Sequence, residues 1–158
     1  MSIFDKYSAK INAEELAKSQ QEITENANGG GDYKEVPFGK YEVKVKKMEA
    51  KKSKGGNNMV SVWFEILKGD FKGQMIFYNG VFYEDWMRHR VVEFLSAILD
   101  DDTHKAEINL ILKDSNLDEI NNFVMDIHEQ VDGQFEYLLD YGQKKGFNTY
   151  TIAEVYEV

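Results

Sequence analysis

Residues 38–77 read FGKYEVKVKKMEAKKSKGGNNMVSVWFEILKGDFKGQMIF, and this stretch decides the fold. From Lys40 the residues alternate, with Tyr41, Val43 and Val45 on one face and Lys40, Glu42, Lys44 and Lys46 on the other. That period of two marks a strand buried on one side. Lys51–Asn58 (KKSKGGNN) is a turn signal. Met59–Leu67 alternates again, Val60, Val62, Phe64 and Ile66 against Ser61, Trp63 and Glu65. Gly69 and Gly73 then bracket a turn into a third strand over Gln74–Asn79. Three strands with short links predict an antiparallel meander.

The same stretch reverses the sign of the chain. Seven lysines (Lys40, Lys44, Lys46, Lys47, Lys51, Lys52 and Lys54) face two acids, Glu42 and Glu49, a local +5. The chain totals −9, so the remainder carries −14. The acidic total argues against a uniformly basic DNA-coating protein. It leaves room for a local basic groove, because charges more than about 8 Å apart are screened at physiological salt.

The 158 residues suit one domain with an appended arm. At 42% hydrophobic and 13% aromatic the chain can build a core, and with no cysteine it has neither a disulfide scaffold nor thiolate metal ligands. The first thirty residues hold no apolar run, so neither a signal peptide nor a membrane span is expected, and a cytoplasmic location follows.

Residues 1–32 read as an arm. Asn12–Glu25 has helix-forming composition with thin apolar content (Ala13, Leu16, Ala17, Ile23), and Asn26–Asp32 is a glycine-rich linker. The binding domain is expected over 33–158. Beyond the meander, Met87, Val91, Phe94, Leu95 and Ile98 recur on one helical face, and Asp100–Asp102 ends that helix as a solvated run. Arg88 and Arg90 read as surface charge. The segment 103–113 fits strand or helix, since Ile108, Leu110 and Leu112 alternate while Ile111 interrupts. Ser115 followed by Asp118 starts a further helix through Val131, stopped by Gly133. Two strands close the chain around Gly142–Gly146.

Three strands, a helical insert and two strands is the order of an OB-fold-like five-stranded Greek-key barrel, here with a short N-terminal helix. In that fold the face of the second and third strands, with the first-to-second and fourth-to-fifth loops, binds oligonucleotides. Both of those loops are basic in this chain: Lys51, Lys52 and Lys54 in one, Lys144 and Lys145 in the other. A sequence-tolerant single-strand binder adds flat aromatics to such cations, each stacked base contributing about 1–3 kcal/mol. Trp63 lies on the non-core face of its strand; the competing account is that a helix or the N-terminal arm covers it. Of Phe77 and Tyr78, one is expected in the core and one exposed. The candidate interface is therefore Lys40, Lys44, Lys46, Lys51, Lys52, Lys54, Trp63, Phe77, Tyr78, Lys144 and Lys145.

No catalytic residue, metal ligand or cofactor is expected. His89, His104 and His128 are scattered without metal-site spacing, and no G-x-x-x-x-G-K-[ST] loop is present. A rival reading is an acidic protein–protein adaptor or DNA mimic. From Glu84 to Asp140 fifteen acids face four bases, a net −11 suited to a basic replication protein.

The runs Phe38–Val45, Asn58–Phe64, Lys72–Phe77 and Gly146–Tyr150 resemble a family of small phage and prophage proteins of replication and recombination modules. The resemblance implies single-stranded-DNA binding, an OB-like fold, replication or recombination proteins as partners and the bacterial cytoplasm as location. It extends from Val36 to the C-terminus and leaves residues 100–114 unmatched. Oligomeric state stays open.

Overall fold

Fourteen residues, Gly39–Lys52, form strand β1, the element to which the rest of the sheet is referred. The computed structural model describes residues 35–158; the helix expected over 12–25 and the linker over 26–32 lie outside the described residues. The remaining strands are β2 (Asn58–Ile66), β3 (Met75–Val81), β4 (Phe135–Lys144) and β5 (Phe147–Glu157). Between β3 and β4 come α1 (Asp85–Leu99), α2 (Lys105–Asp114) and α3 (Leu117–Val131). The fold is α+β.

β1 does not keep one alternation. Val45 pairs with Phe64 and Lys47 with Trp63, leaving Lys46 as an extra residue. Such a bulge bends the strand and raises its twist. Val43 and Val45 are buried before it, Met48 and Ala50 after it, and Lys46 and Lys47 are both exposed. Near the same bend β1 changes partner. Gly39–Val43 pairs with β4, whereas Val43–Lys52 pairs with β2.

The sheet order is β3-β2-β1-β4-β5, antiparallel throughout. A fourth strand returning by a long connection to lie beside the first is the Greek-key arrangement. The partly open barrel expected from the sequence is an open sheet: among the described residues β3 and β5 are edge strands that do not pair with each other. Side chains fill the seam instead. Tyr78 of β3 meets Tyr150 of β5 edge-on at 5.3 Å and stacks on Phe94 of α1 at 4.0 Å. A ring pair of that size occupies the space that strand pairing at about 4.8 Å would need.

The helices close the core from one side. Val91, Phe94, Leu95 and Ile98 of α1 share a cluster with Val60, Val62, Phe64 and Ile66 of β2 and with Tyr137 and Leu139 of β4. The Tyr137 hydroxyl donates to the Ile98 carbonyl at 2.6 Å, which fixes β4 to the end of α1. The ambiguous segment is the helix α2, which buries Ile108 and Leu112 four residues apart and leaves Leu110 55% exposed. Beyond Val43, β1 has an edge that β4 does not reach, and α3 covers it. Asn121 Oδ1 accepts from the Ala50 N–H at 2.9 Å, and His128 Nε2 lies 3.3 Å from the Val45 carbonyl oxygen. Backbone groups on a covered edge need such partners.

Two local expectations shift. The N-cap of α3 is Asn116, one residue later than Ser115. Its Oδ1 accepts from the Glu119 N–H at 2.9 Å, while its Nδ2 donates to the Glu119 carboxylate at 2.8 Å. Arg88 is not surface charge: it is buried, its Nε donating to Asn109 Oδ1 at 3.0 Å and its guanidinium pairing with Asp85. Arg88 thereby ties α1 to α2.

Candidate nucleic-acid interface

The face of β1, β2 and β3 turned away from the helices is built by strand register. Lys47, Trp63 and Phe77 form one row across the three strands, Glu49, Ser61 and Asn79 the next, and Lys51, Met59 and Val81 a third. Directly paired residues share a face. The outward position of Lys47, and so its place beside Trp63, follows from the bulge at Lys46.

In the central row the Lys47 ammonium sits 4.8 Å from the Trp63 ring centre. Phe77 meets the same indole edge-on at 5.1 Å and 81°. A cation and two aromatics in one line are the components that a phosphate-and-base ligand uses. Around that row Lys44 and Lys46 share Glu65 at 4.0 and 3.6 Å, and Lys47 and Lys51 share Glu49 at 3.5 and 3.1 Å. Glu65 is an opposing acid that the +5 window leaves out, because it arrives from β2. Four lysines against two glutamates leave +2 on this part of the face. All four lysine side chains are 42–52% exposed, so these pairs hold little energy and can exchange for phosphates.

The rest of the face is less open than the sequence suggests. Trp63 is half-buried, and Met59, Ser61, Met75, Phe77 and Asn79 are buried. Met59, Met75 and Phe77 stand apart from the helical core cluster. Asn79 Nδ2 is buried without a hydrogen-bond partner. Asn79 is a site candidate that sequence reasoning missed; the phase of β3, unresolved in the sequence, was the only route to it.

The other expected residues divide. Tyr78 points into the core, where burial raises its phenol far above the ordinary range and keeps it neutral. Phe77, its neighbour, takes the outer face but is buried there. Lys40 is exposed on β1 opposite Asp140 of β4, seven residues before Lys47. Lys52 ends β1, and Lys54 lies in the β1–β2 turn held by Ser53 and Asn57. Lys144 ends β4, and Lys145 adopts φ 52° beside Gly146 at φ 83° in the two-residue β4–β5 turn. The register puts the two basic turns at opposite ends of β1, since Gly39 pairs with Tyr141 while Lys52 pairs with Asn58. Trp63 is thus grouped with Lys44, Lys46, Lys47 and Lys51; Lys144 and Lys145 lie at the far end of the sheet.

The described residues hold no group of three or more His, Cys, Asp or Glu side chains placed to bind a metal ion, and none of their helices is long and apolar enough to cross a membrane. No curated protein matches the chain. Residues 22–131, more than half of the chain, match the family described as "Protein of unknown function (DUF669)", and the chain belongs to that family. The matched region takes in β1–β3 and α1–α3 and stops before the β4–β5 hairpin.

Proposed function

For a member of a family defined without an activity, we propose a non-enzymatic single-stranded-DNA-binding protein acting in phage or prophage replication or recombination. The observation that carries this reading is the Lys47–Trp63–Phe77 row with Lys44, Lys46 and Lys51 beside it. Lysines would take phosphates, and Trp63 would stack a base in any sequence context. The Greek-key order with helices between the third and fourth strands supports an OB-like fold opened at β3 and β5. Lys52 and Lys54 would extend the phosphate track at one end of β1, with Lys40, Lys144 and Lys145 at the other. The phage setting, the cytoplasmic location and replication or recombination partners rest on the sequence resemblance.

The test is an oligo-dT titration across salt concentrations. About five phosphate contacts at about 0.7 each predict a log–log salt slope near −3.5. Absence of binding even at low salt would refute the proposal.

A second reading, an adaptor for a basic protein, draws on the acidic helical half and on Leu110 and Met125, which α2 and α3 leave exposed. A DNA-free complex with a basic replication protein, lost on Leu110→Asp, would favour it.

A further inference from the structure

The two edges of the sheet differ in what they offer a partner. β3 runs seven residues, of which the first five are buried. β5 runs eleven, Phe147–Glu157, with no lysine, arginine or proline among them. Short length, lysine and proline are what edge strands use to avoid pairing with another chain. No described strand pairs with the outer side of β5, and no described loop or helix backbone bonds to it.

A bulge divides β5. Leu138 pairs with Glu154 and Leu139 with Ile152, leaving Ala153 as an extra residue, and a bulge bends its strand. Before the bulge, Tyr150 meets Tyr78 across the seam. From the bulge onward, Ala153, Glu154, Tyr156 and Glu157 are exposed and Val155 is half-buried. The open part of the edge is therefore residues 153–157.

Beside that part of the edge the outer side of the sheet is acidic. Register sets Glu42, Leu138 and Glu154 in one row, and Glu136 and Tyr156 in the next. The Tyr156 hydroxyl donates to Glu154 Oε2 at 2.6 Å, and Glu42 pairs with Lys68 at 2.8 Å. With Lys40 opposite Asp140 in a third row, four acids face two lysines. This is the reverse of the +2 around Trp63.

We propose that residues 153–157 dock a basic, extended segment of a partner protein by strand addition. In this mode main-chain hydrogen bonds give affinity and alternate side chains give specificity. Glu154 lies on the outer face, whereas Val155 pairs with buried Tyr137 on the core face. Successive residues of a strand point to opposite faces, so the segment alternates a lysine or arginine across from Glu154 with an apolar residue across from Val155. A second copy of the chain would bring an equally acidic edge, so charge favours a basic partner. β1 and β4 lie between this edge and the strands that carry Trp63 and Phe77, so the site stands whether or not DNA binds.

The experiment uses the full chain and synthetic peptides. An alternating Lys–Val peptide should bind in fluorescence anisotropy and slow hydrogen exchange of the outward-facing amides within residues 153–157. The same peptide N-methylated throughout, which keeps the charge and loses the donors, should not bind, nor should an alternating Glu–Val peptide. Glu154→Lys exchanges a favourable cross-strand pair for a like-charge one and should weaken binding about tenfold. Glu154→Gln, which keeps an acceptor for Tyr156, should fall between the two and guards against a loss caused by misfolding. No binding of the Lys–Val peptide overturns the proposal. Equal binding of the N-methylated peptide overturns strand addition and leaves charge alone. Binding unchanged in Glu154→Lys overturns the site and moves the peptide to the acidic helical half. Exchange at these amides that slows with protein concentration, without peptide, overturns it in favour of a second copy.

Discussion

Glu65→Gln should tighten nucleic-acid binding while leaving the fold almost unchanged. Glu65 reaches across from β2 to Lys44 at 4.0 Å and Lys46 at 3.6 Å, and it pairs with Met75 on the outer face. Both lysine side chains are roughly half exposed, 43% and 52%, so losing the two pairs should cost at most about 0.5 kcal/mol of stability. For a bound phosphate the sign is opposite. A carboxylate about 7 Å from a phosphate in high dielectric repels it by about 0.6 kcal/mol. Removing that repulsion corresponds to about a threefold gain in affinity. The gain should be largest at low salt and vanish near 1 M, where the screening length falls to about 3 Å. Fluorescence titration with oligo-dT at several salt concentrations measures the affinity, and urea unfolding measures the stability. Affinity unchanged or weakened at low salt, with stability intact, would refute the reasoning, because the lysines that Glu65 holds would then not be contacting the strand. A large stability loss would instead make Glu65 a structural tie between β1 and β2.

Charge reversal of Lys51, Lys52 and Lys54 should weaken oligo-dT binding for all sequences with little change in melting temperature; an equal loss of stability would make the turn structural. Gly80→Ala should destabilise the fold by about 1–3 kcal/mol, since a Cβ there would stand 2.5 Å from the Tyr78 hydroxyl and 2.9 Å from Val91 Cγ2. Tyr78 is stacked on Phe94 and has no room to retreat, so thermal unfolding should show the loss. His104 should titrate above 6.5, raised by its 2.6 Å contact with Asp101, whose carboxyl the Thr103 hydroxyl and N–H and His104 hold down at about 2. The contribution of His104 to stability is therefore complete below its unfolded value and fades as pH rises through its folded one. That of Asp101 is present above 3.8 and is lost as pH falls toward 2. Two-dimensional NMR should show the His104 transition returning toward 6.5 in Asp101→Asn.

Much of this architecture was legible because periodicity is a strong signal over long elements. The inward residues expected of β2 (Val60, Val62, Phe64 and Ile66) and the helical face expected of α1 are buried, although Met59 and Ser61 on the other face of β2 are buried too. The bulge at Lys46 was less visible, although Met48 and Ala50 fall on the opposite phase from Val43 and Val45 and so record it. Helix α2 was ambiguous because its buried pair, Ile108 and Leu112, is too short a run to distinguish period two from period 3.6. Closure of the sheet depends on how Tyr78, Tyr150 and Phe94 meet across three elements, which local pattern does not encode. The site was half legible. Lysine and tryptophan types showed in composition, whereas the Lys47–Trp63 contact, the third acid at Glu65 and the burial of Phe77 depend on register and on the far side of the sheet.

The most direct test of the central claim compares two single-tryptophan proteins during oligo-dT titration. In Trp86→Phe, where Trp63 alone emits, the proposed stacking of a base on the ring beside Lys47 predicts that saturating oligo-dT quenches the emission. In Trp63→Phe the remaining Trp86, exposed on α1 with Arg90 over its ring, should stay unquenched, and affinity should fall by about 1–3 kcal/mol. Binding that quenches Trp86 and leaves Trp63 unchanged would contradict the account, since the strand would then lie on the helical half rather than on the β1–β3 face.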